Sequence, residues 1–508
     1  MSHQRVSKNP KKVVVIGAGM AGLACATRLA KLGHDVRVFE SSGQVGGKCR
    51  TVWIEGFGFD IGPSLLTLPA VYRDLFLKTG GPHELIKDLT PVDPAFSYRF
   101  ADGRALDFPN LSRNGVVHAI SEALGLEQGE IWQRILKRAE LMWDAAREDF
   151  IEGELRGLIP LIRRKGLIRD IKTIAPWRSL RSLTQQESAA PELTKIIDRY
   201  ATYTGSDPRK APAVLLTIAF VEEAFGAWHI KGGLGRLPLA LAERLAALGG
   251  KIFLNQSVTN IFVENGIAKG VTLSNGEKID ADIVVSNVDS QILYKKLLPK
   301  SVARKTRPER RSISRTTPSF SGFSLLLALD GTSNVNHHTV LFPKNYDAEF
   351  DAIFDDEKPP EDPTIYICNP KDSSMVPNQD CESWFVLVNA PLHRPGTGFD
   401  WNTPGVKESY AELVLSKIEA RGISVRNRIK FMKIRTPADL ESETQAPGGS
   451  IYGPSSNGPR SVFNRAKNRS SIKNLYCVGG SAHPGGGLPL VGISAEIVAN
   501  AIVEQERV

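Results

Sequence analysis

The sequence is poor in the residues from which disulfide frameworks and metal sites are built. Five cysteines occur in 508 residues, and no two of them have the Cys-x-x-Cys spacing. This excludes a disulfide scaffold or a zinc site and indicates reduced thiols in a cytoplasmic protein. The acidic stretch 347–362 has no ordered ligand spacing, so we expect a solvated loop there and no metal site.

Long apolar runs are also missing. No stretch reaches the length of apolar sequence that a membrane span needs. The uncharged residues 475–495 are interrupted by prolines and glycines, which predicts a loop followed by a helix. The basic residues before the uncharged run 13–27 imitate a signal peptide, but cleavage there would destroy the glycine motif described next.

A β-strand, Val13 to Ile16, runs into Gly17-Ala18-Gly19-Met20-Ala21-Gly22 and then into a helix. Gly17 permits the tight turn, Gly19 leaves room for a pyrophosphate against the backbone, and Gly22 lets the helix approach the sheet. Glu40 ends the second strand, 18 residues after Gly22, where a carboxylate accepts hydrogen bonds from ribose hydroxyls. The pattern predicts a dinucleotide site.

Two further glycine clusters favour FAD over NAD as the dinucleotide. Gly46 and Gly47 come six residues after Glu40, and Lys48 and Arg50 follow them. The longer FAD needs such backbone amides and cations along its second phosphate. A second strand, glycine loop and helix, over 474–504, predicts another helix N-terminus at the flavin.

The chain is basic, with a formal net charge of +9, and much of this charge falls in one segment. Between residues 156 and 181 a single acid, Asp170, opposes eight basic residues: Arg156, Arg163, Arg164, Lys165, Arg169, Lys172, Arg178 and Arg181. Bulky aliphatic residues and Trp177 alternate with them. This pattern favours an anionic membrane surface over nucleic acid, and a solvated helical face is the alternative.

Hydrophobic periodicity outlines the rest of the chain. Apolar residues at three- and four-residue steps predict a helix over 131–150 within a helical region, and another over 234–248. The period then changes to two, which predicts strands at 251–254, 258–263, 267–273 and 283–286. Asn265-Gly266 and Asn275-Gly276 are typical of hairpin turns.

Taken together, these blocks resemble the phytoene desaturase family of carotenoid biosynthesis, within the wider FAD-dependent amine oxidase and phytoene dehydrogenase superfamily. The resemblance covers nearly the whole chain. It rests on the glycine clusters above and on the blocks 59–64, 199–205 with 208–213, 225–233 and 483–487. The chain departs from relatives at His229, where many have tyrosine, and at Gly480, where other branches carry an acid.

The resemblance implies an α/β fold: a Rossmann-type FAD-binding domain, a mixed-sheet substrate domain and a helical membrane-facing lid. The FAD domain would comprise residues 12–80, 226–299 and 446–508, the substrate domain 81–110 and 300–445, and the lid 111–225. The expected cofactor-binding residues are Gly17, Gly19, Met20, Ala21, Gly22, Glu40, Gly46, Gly47, Lys48, Arg50, Gly62, Pro63, Ser64, Val258, Gly479, Gly480, Pro489 and Leu490.

The expected activity is desaturation of a long-chain isoprenoid, phytoene or a related carotenoid, by hydride transfer to FAD. Glu222, Glu223 and His229 are the candidate bases, each with a structural role as the alternative. We expect a cytoplasmic protein, peripherally bound to the membrane. A carotenoid isomerase or oxygenase, a flavin amine oxidase and a flavin-containing carotenoid-binding protein remain alternatives, and the electron acceptor, quinone or oxygen, is open.

Overall fold

The computed structural model describes residues 9–81, 84–155, 167–459 and 461–507. It is built around two large sheets. The first is a five-stranded parallel sheet with the spatial order Leu475–Cys477, Ile283–Ser286, Lys12–Ile16, Asp35–Phe39 and Lys251–Phe253. Strands from three distant parts of the chain therefore form one sheet.

The first strand shows why this sheet is covered on both faces. Successive side chains of a strand point to opposite faces. Val13 and Val15 join the cluster formed with the helices Met20–Lys31, Arg236–Ala247 and Leu488–Arg507. Val14 and Ile16 join the opposite cluster, which the three-stranded antiparallel sheet of Val258–Glu264, Ile267–Leu273 and Lys278–Asp280 covers. A fully apolar strand is typical of such a doubly covered sheet.

The second sheet has seven strands and mixed direction. Its order is Ile429–Arg435, Ser321–Asp330, Cys381–Ala390, Ile365–Cys368, His338–Leu341, Phe96–Arg99 and Ala105–Phe108. Only the pairing of His338–Leu341 with Phe96–Arg99 is parallel among these described strands. The helix Val406–Ala420 packs on one face through Val414 and Ile418.

Helices form most of the described residues between 113 and 225. They are Arg113–Leu124, Leu126–Ala146, Leu167–Ile174, Leu180–Gln186, Pro191–Thr202 and Thr217–Phe225. The helix predicted over 131–150 spans Leu126–Ala146, and its buried face includes Ile131, Ile135 and Met142. Shorter helices elsewhere are Ala70–Thr79, Glu84–Lys87, Ser290–Ile292, Arg307–Ser314, Pro437–Thr444 and Ser461–Asn464.

The α/β fold with a parallel first sheet and a mixed second sheet is as expected, and the hairpin turns at Asn265 and Asn275 join their strands as predicted. The expectation of a solvated loop over 347–362 is wrong in its first half. Asp347–Phe354 is a helix whose Phe350 and Ile353 are buried. Its acids at 347, 351 and 355 lie one turn apart and pair with Arg181, Arg209 and Lys210.

Candidate active site: a glycine-lined groove between the two sheets

The glycine turn lies where the parallel strands end. Gly17 has φ +93°, the left-handed region that glycine alone adopts without strain. A Cβ at Gly22 would lie 2.2 Å from the carbonyl oxygen of Gly17, so the following helix packs directly on the turn. Because ligands of such sheets bind outside the carboxyl ends of the strands, this turn borders the binding groove.

Asn287 stands at the centre of this glycine cluster, and the sequence analysis missed it. It follows the strand Ile283–Ser286, and its backbone N–H donates to Ile16 O at 2.9 Å. A Cβ at Gly19 would lie 2.7 Å from its Nδ2, and one at Gly479 would lie 2.6 Å from its Oδ1. The structure thus brings Gly17, Gly19, Gly22 and Gly479 together around one side chain.

Glu40 is held beside the glycine turn. Its Oε2 accepts the backbone N–H of Ala18 at 2.7 Å, and its Oε1 accepts that of Ser42 at 2.9 Å. The backbone N–H of Gln256 donates to the carbonyl of Glu40 at 2.8 Å, which brings the segment leading to Val258 to the same place. The carboxylate is therefore fixed at the end of the second strand, as the expected ribose contact requires.

The second glycine pair closes against the first. The backbone N–H of Gly46 donates to Ala18 O at 2.9 Å, and a Cβ at Gly47 would lie 3.3 Å from Gly19 Cα. Lys48 follows, and its Nζ donates to Ser450 O at 2.7 Å and Ile451 O at 2.8 Å. Burial lowers the pKa of Lys48 to about 8, against the opposing influence of Asp289.

Gly62 fits against the same segment, because a Cβ there would lie 1.8 Å from Lys48 O. Ser64, two residues later, shares a 2.8 Å hydrogen bond with the hydroxyl of Tyr366 on the seven-stranded sheet. Arg50, whose side chain is 10% exposed, donates to Glu443 at 2.7 Å. The loop containing Pro63 thus joins the glycine groove to the second sheet.

The C-terminal glycine loop begins beside the glycine turn, where a Cβ at Gly479 would lie 3.8 Å from the Cβ of Ala21. Arg465 donates to Gly480 O at 2.7 Å and to Pro454 O at 2.6 Å, and burial lowers its pKa to about 10. A Cβ at Gly480 would lie 3.4 Å from Gly486 Cα, so the loop folds tightly on itself. Pro489 and Leu490 form the first turn of the helix that follows.

Asp60 connects the groove to the segment 228–236, and the sequence analysis did not single it out. Both of its carboxylate oxygens accept the backbone N–H of Leu234 at 3.0 Å, and Oδ1 also accepts the hydroxyl of Thr51 at 2.5 Å. Burial raises its pKa, while these hydrogen bonds lower it. Asp60 therefore fixes the glycine pair Gly232-Gly233, which lies just before Leu234.

The groove fits a dinucleotide with two phosphates. Among the described residues, no side chain caps the helix Met20–Lys31, and its first turn holds no acid. Its first N–H groups are therefore available to an anion. The glycines let the backbone segments at Gly19, Gly47 and Gly479 approach one another closely, and Glu40 supplies a fixed acceptor.

The three candidate bases do not share one site. Glu222 is buried and accepts the hydroxyls of Tyr200 at 3.0 Å and Tyr203 at 2.6 Å; burial raises its pKa. Glu223 accepts Arg113 Nε at 2.6 Å and Trp132 Nε1 at 3.1 Å. Both carboxylates are thus engaged within the helical region.

His229 lies elsewhere, on the short strand Trp228–Ile230 that pairs with Leu89–Pro91. Its Nε2 is 2.9 Å from Oδ2 of Asp372, and both side chains are 7% exposed. The ring of His337 meets it edge to face, with centroids 5.1 Å apart. His229 therefore sits at the junction between the glycine groove and the seven-stranded sheet.

A histidine and cysteine cluster lies beside this junction. The ligand atoms of His337, His338 and Cys368 lie within 4.8 Å of one another. Both ring nitrogens of His338 already lie against backbone carbonyls, Ala95 O at 2.9 Å and Ser64 O at 3.2 Å. Burial raises the pKa of the Cys368 thiol well above its ordinary value. The cluster is a poor metal site.

Comparison with known proteins supports flavin as the ligand of the groove. The family model described as flavin containing amine oxidoreductase matches residues 20–379. The putrescine oxidase structure with bound putrescine has a TM-score of 0.64 at 14% identity, covering 98% of this chain and 99% of its own. An oxidoreductase from Methanosarcina mazei has a TM-score of 0.63 at 17% identity, covering 97% of this chain and all of its own. These structures share the fold.

Curated relatives indicate a narrower family than the shared fold does. A 1-hydroxycarotenoid 3,4-desaturase of Flavobacterium sp. is 33% identical, covering 97% of this chain and 99% of its own. A 4,4'-diapolycopene oxygenase of Methylomonas sp. is 31% identical over 98% of this chain and 99% of its own. A hydroxyneurosporene desaturase of Rubrivivax gelatinosus is 31% identical over 97% of this chain and 93% of its own.

The chain belongs to the flavin-containing amine oxidoreductases, and within them to the carotenoid desaturase family. The sequence-based expectations of an FAD-dependent oxidoreductase and of this family are thereby confirmed.

Proposed function

We propose that this protein desaturates a long-chain isoprenoid of the carotenoid type, with hydride passing to FAD bound in the glycine groove. The observation that carries the proposal is full-length similarity to carotenoid desaturases, combined with a groove whose glycines and fixed acid fit the dinucleotide. FAD supplies the hydride acceptor when bound. The chain supplies binding, orientation and a dry surface for the hydrocarbon.

The expected cofactor residues take distinct roles in this proposal. Gly17, Gly19 and Gly22 with the uncapped helix would hold the phosphates, and Glu40 would accept from the ribose. The 256–258 segment and the C-terminal loop would line the two ends of the cofactor. The domain limits of the sequence analysis remain part of the proposal.

The hydrocarbon would lie between the helical region and the seven-stranded sheet. Apolar side chains there are packed on a core yet only partly buried: Leu65, Val214, Leu215, Ile218 and Tyr366 belong to one set, and Leu387 borders it on the sheet. Partly buried apolar residues between two large elements are what an internal apolar site requires. This supports a substrate path that runs from the loop at Ser64 toward the helix Thr217–Phe225.

Proton loss from the substrate would be assisted by His229, with Glu222 and Glu223 as the alternatives. His229 belongs to the segment 228–236 that Asp60 ties to the groove, whereas each glutamate accepts two hydrogen bonds within the helical region. Single substitutions of all three distinguish them. Removal of the base should slow flavin reduction by roughly 10²–10⁴-fold while the protein still holds FAD.

We include in this proposal peripheral binding to an anionic membrane from a cytoplasmic location, through the basic segment and the helical lid. Arg156, Arg163, Arg164 and Lys165 lie outside the described residues. In the described part, Trp177 is 62% and Ile171 38% exposed, beside Arg169 and Lys172. The sequence-based expectation that no stretch is long and apolar enough for a membrane span is corrected by the C-terminal helix, which meets that length and composition over Leu488–Glu506 but packs against the helix Met20–Lys31 in the core.

Sedimentation with anionic vesicles tests the membrane contact. Arg169→Glu with Lys172→Glu should weaken binding strongly, since each basic residue near such a surface contributes about 1 kcal/mol. Lys269→Glu with Lys278→Glu, both on exposed positions of the three-stranded sheet, is the charge-matched control and should bind like the wild type. Equal sedimentation of all three proteins at low salt would contradict the proposed surface.

A second candidate function is oxygenation, because one relative of 31% identity is named an oxygenase. Expression in cells that supply phytoene, or more desaturated or hydroxylated carotenoids, separates the two. Desaturation removes two hydrogens from the product mass, whereas oxygenation adds oxygen. An amine oxidase would reduce its flavin with amines, an isomerase would change product geometry without electron transfer, and a binding protein would hold carotenoid unchanged.

A further inference from the structure

Asp372 and His229 form a buried acid and imidazole pair at the edge of the groove. The residues are 143 positions apart in sequence, and the contact joins Nε2 of His229 to Oδ2 of Asp372 at 2.9 Å. Burial opposes the charge of Asp372, but hydrogen bonds from His229, Ser374 and Gly232 together hold its pKa well below the ordinary value. The carboxylate is therefore ionised and acts only as an acceptor.

An acceptor at Nε2 decides where the proton of a neutral imidazole resides. The ring must donate its N–H from Nε2, so its lone pair is on Nδ1. Within the described part of the chain, no residue donates a hydrogen bond to Nδ1 of His229. Nδ1 of His229 is therefore the atom that can accept a proton.

The surroundings keep this orientation fixed. Asp372 also accepts the backbone N–H groups of Gly232 at 2.7 Å and Ser374 at 2.9 Å, and the hydroxyl of Ser374 at 2.6 Å. Gly233 lies against the Asp60 carboxylate, where a Cβ would be 2.8 Å from Oδ1. The pair is therefore tied to the same loop that Asp60 anchors beside the groove.

The other ionisable groups around His229 do not compete for the proton. Burial lowers the pKa of His337 well below its ordinary value. Burial also lowers the pKa of His338, to about 4. The carboxylate of Asp60 already accepts hydrogen bonds from the backbone N–H of Leu234 and the hydroxyl of Thr51.

We propose that Asp372 is a positioning residue that holds the His229 imidazole with its proton on Nε2 and its lone pair on Nδ1, ready to accept the substrate proton. In the step, the C–H bond beside the carbon that loses hydride breaks. Its electron pair forms the second bond of the new C=C, and the proton forms an N–H bond at Nδ1. The hydride goes to FAD, so this inference rests on the proposed function.

Nuclear magnetic resonance of ¹⁵N-histidine in the full-length protein tests the tautomer without turnover. We expect one imidazole with the proton on Nε2, assigned by its disappearance in His229→Gln. A wild-type His229 with its proton on Nδ1 would overturn the inference.

Anaerobic flavin reduction by a carotenoid tests the chemical consequence in the FAD-loaded protein. Asp372→Asn should lower the saturating rate by roughly 10²-fold, with FAD content and half-saturating substrate concentration unchanged. Asp282→Asn is the matched control, because that carboxylate also holds a backbone N–H, of Lys12 at 2.9 Å, but far from the groove. A wild-type rate in Asp372→Asn would overturn the proton-transfer role. If no carotenoid reduces the wild-type flavin, the proposed function fails together with that role, whereas the tautomer is decided separately.

Discussion

Substitution of the turn glycines by alanine separates cofactor binding from folding, because their Cβ atoms would meet different neighbours. At Gly22 the added carbon would lie 2.2 Å from the Gly17 carbonyl oxygen, more than 1 Å short of the 3.4 Å at which ordinary contact begins. The neighbour is backbone, so the helix must move away from the turn. Overpacking of this kind costs about 1–3 kcal/mol.

The same displacement should weaken FAD binding, because the helix N-terminus moves with the turn. If that cost falls on the bound state, the dissociation constant rises roughly 5- to 150-fold, at about 1.4 kcal/mol for each factor of ten. Gly22→Ala should therefore lose both apoprotein stability and FAD affinity. Thermal unfolding of the apoprotein and titration of FAD fluorescence measure the two effects.

Gly19→Ala provides the contrast. Its Cβ would meet only the Nδ2 of Asn287, the end of a side chain that can move. Apoprotein stability should change little, while FAD affinity falls because the carbon enters the space for the pyrophosphate. In Gly43→Ala the nearest atom, Oδ1 of Asn255, lies 3.4 Å away, so neither quantity should change. Wild-type FAD affinity in Gly19→Ala would refute the placement of the phosphates at this turn.

Two further predictions concern buried or fixed carboxylates. Glu40→Ala removes the acceptor of the Ala18 N–H and of the proposed ribose contact. Since hydrogen bonds to charged groups contribute about 1.5–3 kcal/mol, the FAD dissociation constant should rise roughly 10- to 150-fold in the same titration. An unchanged FAD affinity would contradict the ribose role. Burial raises the pKa of Glu222 above its ordinary 4.5, so the folded state favours the protonated carboxyl group. The wild type should therefore lose stability relative to Glu222→Gln as the pH rises above 4.5 and through the raised pKa. Parallel pH dependence of urea unfolding in the two proteins would count against it.

Sequence reasoning recovered the features that depend on local spacing. The turn from Gly17 to Gly22 and the acid at Glu40 are predictable because a fixed strand, turn and helix determine their separation. Asn287 was missed because it follows an unremarkable strand, and its contacts with Gly19 and Gly479 exist only once distant strands share a sheet.

The hydrogen-bonded residue pairs that link the two sheets could not be predicted from the sequence for the same reason. Asp60 and Leu234 are separated by 174 residues, and His229 and Asp372 by 143. The acidic segment 347–362 was wrongly predicted to be a solvated loop throughout because only its charge was considered. Phe350 and Ile353 give it an apolar face at helical spacing, while Asp347 and Asp351 pair with arginines of the helical region.

Anaerobic mixing of the FAD-loaded protein with carotenoid precursors tests the central claim most directly. Flavin absorbance and product mass are followed together. The account predicts that at least one precursor bleaches the flavin and yields a product lacking two hydrogens, with one double bond formed for each flavin reduced. A flavin that stays oxidised with phytoene and with more desaturated or hydroxylated carotenoids, and no new double bond, would contradict desaturation by this protein.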